Sequence, residues 1–221
     1  MEKYINVITL GPIGVGKTSI INRIKTGKFE DKVKATVGFN TFIIKKPYQR
    51  KNLTIVLNFK DTGGEESYLS FLPMQYIRNS HVVLLVFDSI DTLNDLMNRW
   101  LKFYKDNSNI DHSRFILIGN KSDLYGEQRD IIVQEGEKFS QDIDAHFITC
   151  SAKNADNMDN LERFILTEAR RFIDEEEKYL NSIKNDNSSD NNNKSNENKN
   201  FSINKENTNN NKDIKKGKCC K

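Results

Sequence analysis

The stretch GPIGVGKT, residues 11–18, matches the pattern G-x-x-x-x-G-K-[ST]. Glycines in such a turn let successive backbone N–H groups curl around phosphate oxygens, the lysine supplies positive charge, and the threonine hydroxyl can ligate Mg²⁺. The helix that begins here directs its positive dipole end at the same anion. The stretch therefore predicts a nucleotide phosphate site, with the candidate binding residues Gly11, Ile13, Gly14, Val15, Gly16, Lys17, Thr18 and Ser19.

Runs of apolar residues of strand length alternate with helical patterns on both sides of this turn. The alternation predicts an α/β domain with a six-stranded, mostly parallel sheet covered by helices on both faces. Two β-rich runs joined by PYQRKN (47–52) predict a hairpin, and hence one antiparallel strand pair. The predicted strands are 4–10, 39–46, 53–61, 81–88, 114–123 and 146–153, and the predicted helices include 94–106, opened by Ser89, and 157–180.

Two later segments indicate which base the nucleotide carries. Asn120-Lys121-Ser122-Asp123 follows a predicted strand, at the edge where open α/β sheets bind ligands. A carboxylate at Asp123 can accept the two N–H groups that guanine presents and adenine lacks. Ser151-Ala152-Lys153, at the end of the next strand, can add a backbone N–H to the guanine carbonyl. The two segments together predict a guanine site.

Composition separates the body of the chain from its end. The chain carries a net charge of +3, whereas residues 181–221 hold nine lysines and five acidic residues, a net +4, so residues 1–180 carry 3 − 4 = −1. Asparagine makes up 14 of the 31 residues 181–211, and such a segment cannot offset its ordering entropy by burial. We therefore expect a folded nucleotide-binding domain over 1–178, a disordered Asn-rich tether over 179–211 and a basic end over 212–221. An insertion whose only function is length is an equally open interpretation of the tether.

Several anchoring and targeting devices are not expected. Three cysteines do not make a disulfide scaffold and suit a reducing compartment, and Cys150, inside a predicted strand, is expected to be a packed core thiol. The first residues lack the features of a signal peptide, and Glu2 excludes N-myristoylation. No apolar run reaches the roughly 18 residues that a membrane-spanning helix needs.

Over residues 3–178 the chain resembles a Ras-superfamily small GTPase. The resemblance implies a GTP/GDP switch that uses Mg²⁺, with Lys17 and Gly64 at the phosphates and metal ligands at Thr18, Thr36 and, through water, Asp61. It also implies that Phe29 stacks on the guanine, although a phenylalanine in the core is the alternative. Asn120 and Lys121 make the ATPase and kinase alternatives unattractive, because they fit the guanine motif of this superfamily.

Within the superfamily the chain is most similar to Rab proteins. QYIRNSHVVLLVFDSID (75–91) resembles the corresponding Rab stretch, and Trp100 lies where Rab-like proteins often have tryptophan. The end Cys219-Cys220-Lys221 resembles the double-cysteine ends that carry two geranylgeranyl groups, and a metal or redox pair is a poor alternative at this spacing. Two lipids, or one with a polybasic patch, give stable anchoring. The flanking lysines are Lys212, Lys215, Lys216 and Lys218.

The resemblance also implies a set of partners and a location. We expect effectors at the switch loops, an exchange factor, a GTPase-activating protein, and escort and dissociation-inhibitor proteins. A basic tail suits either a membrane or a nucleic acid. The cysteine pair favours the membrane, so we expect the protein at the cytoplasmic face of an endomembrane or the plasma membrane. We expect no nucleic-acid partner and, from the resemblance, a function in vesicle trafficking.

The chain departs from the family pattern at the positions that control hydrolysis. Family members usually read D-T-A-G-Q-E where residues 61–66 read DTGGEE, so Glu65 replaces the glutamine that orients the attacking water. Ile13 lies in the phosphate loop where many relatives carry a small residue, and Lys60 stands where Rab proteins usually have tryptophan. Two hypotheses follow: a slowly cycling Rab-like GTPase, or a pseudo-GTPase that binds GTP and recruits partners with little turnover.

Overall fold

The structure is a computed structural model that describes residues 1–65, 74–108 and 113–189, with side chains described up to residue 183. The chain divides into two units, Met1–Leu180 and Asn181–Lys221. The first unit contains the sheet and the nucleotide site. Glu66, which closes the DTGGEE stretch, and the predicted lipidation sites Cys219 and Cys220 lie outside the described residues.

A six-stranded sheet forms the centre of the first unit. Its strand order is β2-β3-β1-β4-β5-β6, and every neighbouring pair is parallel except β2 with β3. The predicted hairpin is confirmed, with a 3-10 turn at Gln49–Lys51 between its strands. The strands are β1 (Glu2–Leu10), β2 (Phe39–Tyr48), β3 (Leu53–Thr62), β4 (Val82–Phe87), β5 (Arg114–Gly119) and β6 (His146–Thr149).

Helices cover both faces of this sheet, as predicted. The central strand β4 is buried at every residue, and this is why its sequence is a continuous apolar run rather than an alternating one. The helices are α1 (Lys17–Thr26), α2 (Met74–Arg78), α3 (Ile90–Asp95), α4 (Lys102–Asn107), α5 (Arg129–Asp142) and α6 (Met158–Ser189).

The core has two parts, one on each side of the sheet. On one side, apolar residues of α1 and α6, such as Ile20 and Leu161, pack with the strands. On the other side, residues of α2, α5 and the segment from α3 to α4 pack with the opposite faces of the strands. The face predicted for the last helix is confirmed: Leu161, Ile165, Ala169 and Ile173 are buried, and Phe164 and Phe172 pack against them.

The segment between α3 and α4 is a π-helix, Leu96–Leu101, so the helical path from Ile90 to Asn107 is continuous. Its predicted start is confirmed, because the Ser89 hydroxyl accepts from the Thr92 N–H and the Thr92 hydroxyl accepts from the Ser89 N–H. This reciprocal capping satisfies backbone donors that the first turn of a helix leaves unpaired. The π-helix carries Trp100, which is fully buried.

The last helix is longer than the sequence indicates. The tether was predicted to begin at residue 179. The first compact unit ends at Leu180, close to that boundary, whereas α6 continues to Ser189. Asparagine and serine are poor helix formers in isolation, but they are not helix breakers, and a helix already formed extends at little cost because propagation is easier than nucleation. None of the described helices is both long enough and apolar enough to cross a bilayer.

Candidate nucleotide-binding site

The phosphate loop connects the end of β1 to the start of α1. Gly16 precedes the helix with φ 93°, in the left-handed region that favours glycine. A Cβ atom at Gly11 would lie 2.2 Å from the Val86 carbonyl oxygen of β4, so a side chain at this position would push the loop off the sheet. Glycine is therefore needed at 16 for a left-handed backbone conformation, and at 11 because the loop lies directly against β4.

Lys17 is a buried cation beneath this loop. It is 5% exposed, and its Nζ donates to the carbonyl oxygens of Gly11 and Pro12 at 2.7 and 2.8 Å. Burial lowers the pKa of Lys17 to about 8, and the nearby Asp61 carboxylate opposes that change. The ammonium is also 5.6 Å from the ring centre of Trp100. A cation with so little solvent around it is poised to interact with an anion in the loop.

Two hydroxyls and one carboxylate meet beside the loop. The Thr18 Oγ1 donates to Asp61 Oδ2 at 2.6 Å, and the Thr36 Oγ1 lies 3.2 Å from the same oxygen and 3.0 Å from the Thr18 Oγ1. Burial raises the pKa of Asp61, although hydrogen bonds from Thr18 and Thr36 act in the opposite direction. The structure thus brings together the three residues predicted as metal ligands, from α1, the segment before β2, and the end of β3.

This donor set fits Mg²⁺. Mg²⁺ takes oxygen ligands and is usually bound by one or two protein groups together with substrate phosphates and water. Thr18, Thr36 and Asp61 would hold it, and the ion would supply positive charge opposite the phosphate oxygens.

Gly64 lies directly against the phosphate loop. A Cβ atom at this position would be 2.4 Å from both the Cα and the backbone N of Ile13, and 2.6 Å from the carbonyl carbon of Pro12. Only glycine permits this approach. The contact places the backbone of the segment after β3 at the outer side of the loop, while the Ile13 side chain remains 56% exposed.

Two cavities meet at the phosphate loop and share Gly14, Gly16 and Ser19. One, of about 230 Å³, is lined by the loop, by Thr36 and the residues before it, and by Gly64. The other, of about 270 Å³, is lined by Phe29 and by the Asn120–Asp123 and Ala152–Lys153 segments. We call the first cavity the phosphate compartment and the second the base compartment, after the segments that line them.

The Asn120 amide hydrogen-bonds to backbone groups of the phosphate loop and of the 151–153 segment. Its Nδ2 donates to the Val15 carbonyl at 2.8 Å, and its Oδ1 accepts from the Ala152 N–H at 3.2 Å. Asn120 is 1% exposed. The amide therefore ties the phosphate loop to both base segments. Val15 likewise has a fully buried side chain, so its contribution to binding is its backbone.

Asp123 is presented to the base compartment by Ser151. The Ser151 hydroxyl donates to Asp123 Oδ1 at 2.5 Å and accepts from the Asn154 N–H at 3.1 Å. The buried Ser151 side chain therefore orients the exposed Asp123 carboxylate. Lys121 adopts φ 58° and its Nζ pairs with Asp88 Oδ2 at 2.7 Å. The predicted base-reading segments are thus brought together.

Sequence reasoning missed Arg23, which supports the base compartment from outside. Its guanidinium donates to the carbonyls of Ala152 at 2.8 Å, Lys153 at 2.7 Å and Gly27 at 2.6 Å. One side chain of α1 therefore fixes both the 152–153 segment and the turn before Phe29. No local pattern around Arg23 points to this role, because all three acceptors are backbone carbonyls and two of them, those of Ala152 and Lys153, are distant in sequence.

The positions of Phe29 and Glu65 do not by themselves establish the roles predicted for them. Phe29 lines the base compartment and also packs, partly buried, against the core, so its position is compatible with both interpretations, and its stacking on guanine stays a prediction. Glu65 is exposed and is not among the described residues that line the phosphate compartment. Its catalytic role stays a prediction.

A phosphate loop after the first strand, a hydroxyl–carboxylate cluster beside it and a purine compartment at the carboxyl ends of β5 and β6 define a P-loop nucleotide-binding protein of the GTPase type. The comparison with known families agrees. The model of the Ras family matches residues 6–171, about three quarters of the chain. The chain belongs to the Ras family, whose members are GTPase switches that bind GTP and GDP, generally with Mg²⁺.

Proposed function

We propose that this protein is a Rab-like small GTPase that switches between GTP and GDP on cytoplasmic membrane surfaces and regulates vesicle trafficking. One observation supports the switch above others: Thr36 and Gly64 come from two segments separated in sequence and line one phosphate compartment. A ligand group in this compartment can therefore order both segments at once.

The γ-phosphate is the group that distinguishes the two states. With GTP bound, Thr36 and Gly64 both have a partner at the outer phosphate, and the segments that carry them form an ordered surface. After hydrolysis to GDP and phosphate, neither segment keeps that partner, and the surface is released. The Gly63 N–H donates to the Gly38 carbonyl at 2.7 Å, so the two segments are also linked directly to each other.

Hydrolysis depends on the position of an attacking water, and Glu65 stands where the family has the glutamine that orients it. A carboxylate can accept a hydrogen bond from the water but cannot donate one to the γ-phosphate. Ile13 adds bulk beside Gly64 at the entrance to the phosphate compartment. We propose a slow reaction with Glu65, Lys17 and Gly64 as its catalytic residues, since Thr18, Thr36 and Asp61 are also present.

The second candidate function is a pseudo-GTPase that holds GTP and recruits partners. The same two residues favour it: a charge replaces a neutral amide at 65, and the branched, exposed side chain of Ile13 would block an arginine from an activating partner. Nucleotide binding is common to both functions, so only turnover separates them.

Single-turnover phosphate release separates the two. The full chain is loaded with GTP and Mg²⁺, beside the Glu65→Gln and Ile13→Gly variants, and phosphate is measured over time. We expect slow release by the unaltered protein, and a slower Gln variant if Glu65 has become an adapted catalytic group. Absence of release that either variant restores identifies the pseudo-GTPase instead. A Lys17→Met variant serves as the control without phosphate binding.

Membrane attachment rests on the end of the chain. We propose that Cys219 and Cys220 carry geranylgeranyl groups, that the neighbouring lysines add roughly 1 kcal/mol each toward anionic lipid, and that the Asn-rich segment is a flexible spacer. Escort and dissociation-inhibitor proteins would then handle the lipidated chain, and an exchange factor and an activating protein would set its nucleotide state.

Co-sedimentation with phosphatidylserine vesicles after enzymatic geranylgeranylation tests this attachment. The double variant Cys219→Ser/Cys220→Ser should lose binding. Each single variant should still bind at low salt, because one lipid acts together with the lysines, but its binding should fall as salt screens those charges. Equal binding by the double variant would contradict the lipid anchor and leave the lysines as the attachment.

A further inference from the structure

An exposed face of the hairpin carries a lysine in an unusual setting. Lys60 of β3 stands opposite Thr41 of β2 and donates to its hydroxyl at 3.0 Å. Its ammonium lies 4.5 Å from the ring centre of Tyr76, and Tyr76 makes an edge contact with Phe39 at 4.9 Å. Because side chains alternate along a strand, Ile43 shares this face and is 55% exposed. We call Phe39, Thr41, Ile43, Lys60 and Tyr76 the Lys60 face.

Lys60 differs from the other lysines of the hairpin in having no acidic partner. Lys45 pairs with Glu2, Lys46 with Glu162, and Lys51, in the turn, with Asp174. Among the described residues, Lys60 makes no such ion pair. Burial lowers the pKa of Lys60, the direction a cation shows when it loses water without gaining a counter-ion. The ammonium has three donors, of which Thr41 takes one.

A small cavity opens beside this ammonium. It has a volume of about 140 Å³ and is lined by Lys60, Tyr76, Asn6, Gln75 and Asn79. The Asn6 amide is already engaged, because its Nδ2 donates to the Asn79 carbonyl and its Oδ1 accepts from Asn58. Lys60 is the charged side chain that lines this cavity, and Thr41 uses only one of its three donors. An anionic side chain that entered would find a half-buried cation, where a charged hydrogen bond is stronger than at the open surface.

We propose that the Lys60 face docks a protein partner that places an aspartate or glutamate against Lys60, beside an apolar residue packed on Phe39 and Ile43. Charge complementarity selects this occupant, since the face presents one cation that has no counter-ion within 1–65, 74–108 and 113–183, beside the exposed Ile43 and the partly exposed Phe39. This proposal rests on the proposed switch: β2 follows the Thr36 segment directly, and β3 runs into Gly63 and Gly64. The face is thus attached to both nucleotide-sensitive segments.

Selection from a displayed library of random 12-residue peptides tests the proposal. The targets are the full chain loaded with a non-hydrolysable GTP analogue, the Lys60→Met variant and the Lys60→Glu variant. Lys45→Met is the matched control, because Lys45 lies on the same face but already pairs with Glu2. We expect peptides with an acidic residue next to an apolar one, whose affinity falls about tenfold with Lys60→Met, falls further with Lys60→Glu, and is unchanged with Lys45→Met.

A second comparison separates direct contact from a change in the fold. Replacing the acidic residue of a selected peptide by its amide should weaken binding to the unaltered protein but have little effect on the Lys60→Met variant, as expected for a coupled pair. Peptides without acidic residues, equal affinity for Lys60→Met, or no Lys60-dependent peptide at all would overturn the proposal. Nucleotide content is measured on each preparation, so a failure to bind GTP is recognised separately as a failure of the proposed function.

Discussion

Gly64 shows how a single hydrogen atom in place of a side chain can determine a switch. We expect Gly64→Ala to weaken binding of a GTP analogue about tenfold or more relative to GDP, because relieving an overlap of this kind costs about 1–3 kcal/mol and its Cβ would overlap the backbone of Ile13. Competition between labelled GTP analogue and GDP measures the ratio. The overlap involves backbone atoms, so adding Ile13→Gly should not restore it; restoration would contradict the steric account.

Cys150 is expected to be chemically silent in the folded protein. It is fully buried, and burial raises the pKa of its thiol to about 12, so the reactive thiolate is scarce near neutral pH. The Cys219→Ser/Cys220→Ser variant leaves Cys150 as the sole cysteine. Its reaction with a thiol reagent at pH 8 should be very slow with GDP bound and fast in urea.

The position of Cys150 gives that labelling experiment a second use. The Cys150 Sγ is 3.7 Å from the Asn120 Oδ1, the oxygen that also accepts from Ala152. Opening of the base compartment should therefore expose the thiol, and labelling should accelerate when nucleotide is removed. Equal rates with and without GDP would mean that this part of the site stays closed when empty.

At the scale of the elements, α1 does more than carry the phosphate loop. We expect Arg23→Met to accelerate GDP release about tenfold or more, because Arg23 makes three hydrogen bonds to backbone carbonyls around the base compartment, each worth about 1 kcal/mol or more. Stopped-flow release of a fluorescent GDP gives the rate. Lys25→Met, on the same helix but directed at Phe42, is the control and should release GDP at the unaltered rate.

The features that the sequence predicts depend on residues close together in the chain, whereas the features that it misses depend on contacts between distant residues. The continuous apolar run of β4 and the Ser89 cap depend on neighbouring residues, so the sequence indicates both. The phosphate loop is predictable because its glycines, Lys17 and Thr18 lie within eight residues. Arg23 and the amide of Asn120 bond to backbone carbonyl and N–H groups far along the chain. Because nearly every residue has these backbone groups, residue identity does not show which of them will be a partner.

The length of α6 and its boundary with the tail illustrate the same limit. Composition changes near residue 180, and the expected boundary followed composition, whereas the helix extends to Ser189. A change in residue type predicts where burial ends, but a helix can extend several residues beyond its last buried position. The site residues Glu65 and Ile13 are a different case, because their effect on a rate depends on a water whose position neither pattern nor backbone specifies.

For the whole molecule, stability and nucleotide binding are coupled through the buried charge of Lys17. The pKa of Lys17 is about 8 in the folded protein, below its ordinary value of 10.5. The unfolded chain therefore binds more protons between these values, and the free energy of unfolding should rise with pH there. Below pH 8 the group is protonated in both states, and the full cost of about 3 kcal/mol persists.

We accordingly expect Lys17 to contribute a gain of about 1 kcal/mol in the stability of the nucleotide-free protein between pH 8 and pH 9. Cys150 offsets part of this gain, because its thiol begins to ionise near pH 9 in the unfolded chain but stays protonated in the folded protein. Urea unfolding followed by the fluorescence of Trp100, the sole tryptophan, measures it. Lys17→Met should abolish this contribution, so the difference between the two proteins isolates Lys17 from other titrating groups. With GDP bound the phosphates supply the missing negative charge, and the rise should disappear; a rise that persists in Lys17→Met would assign it to another group.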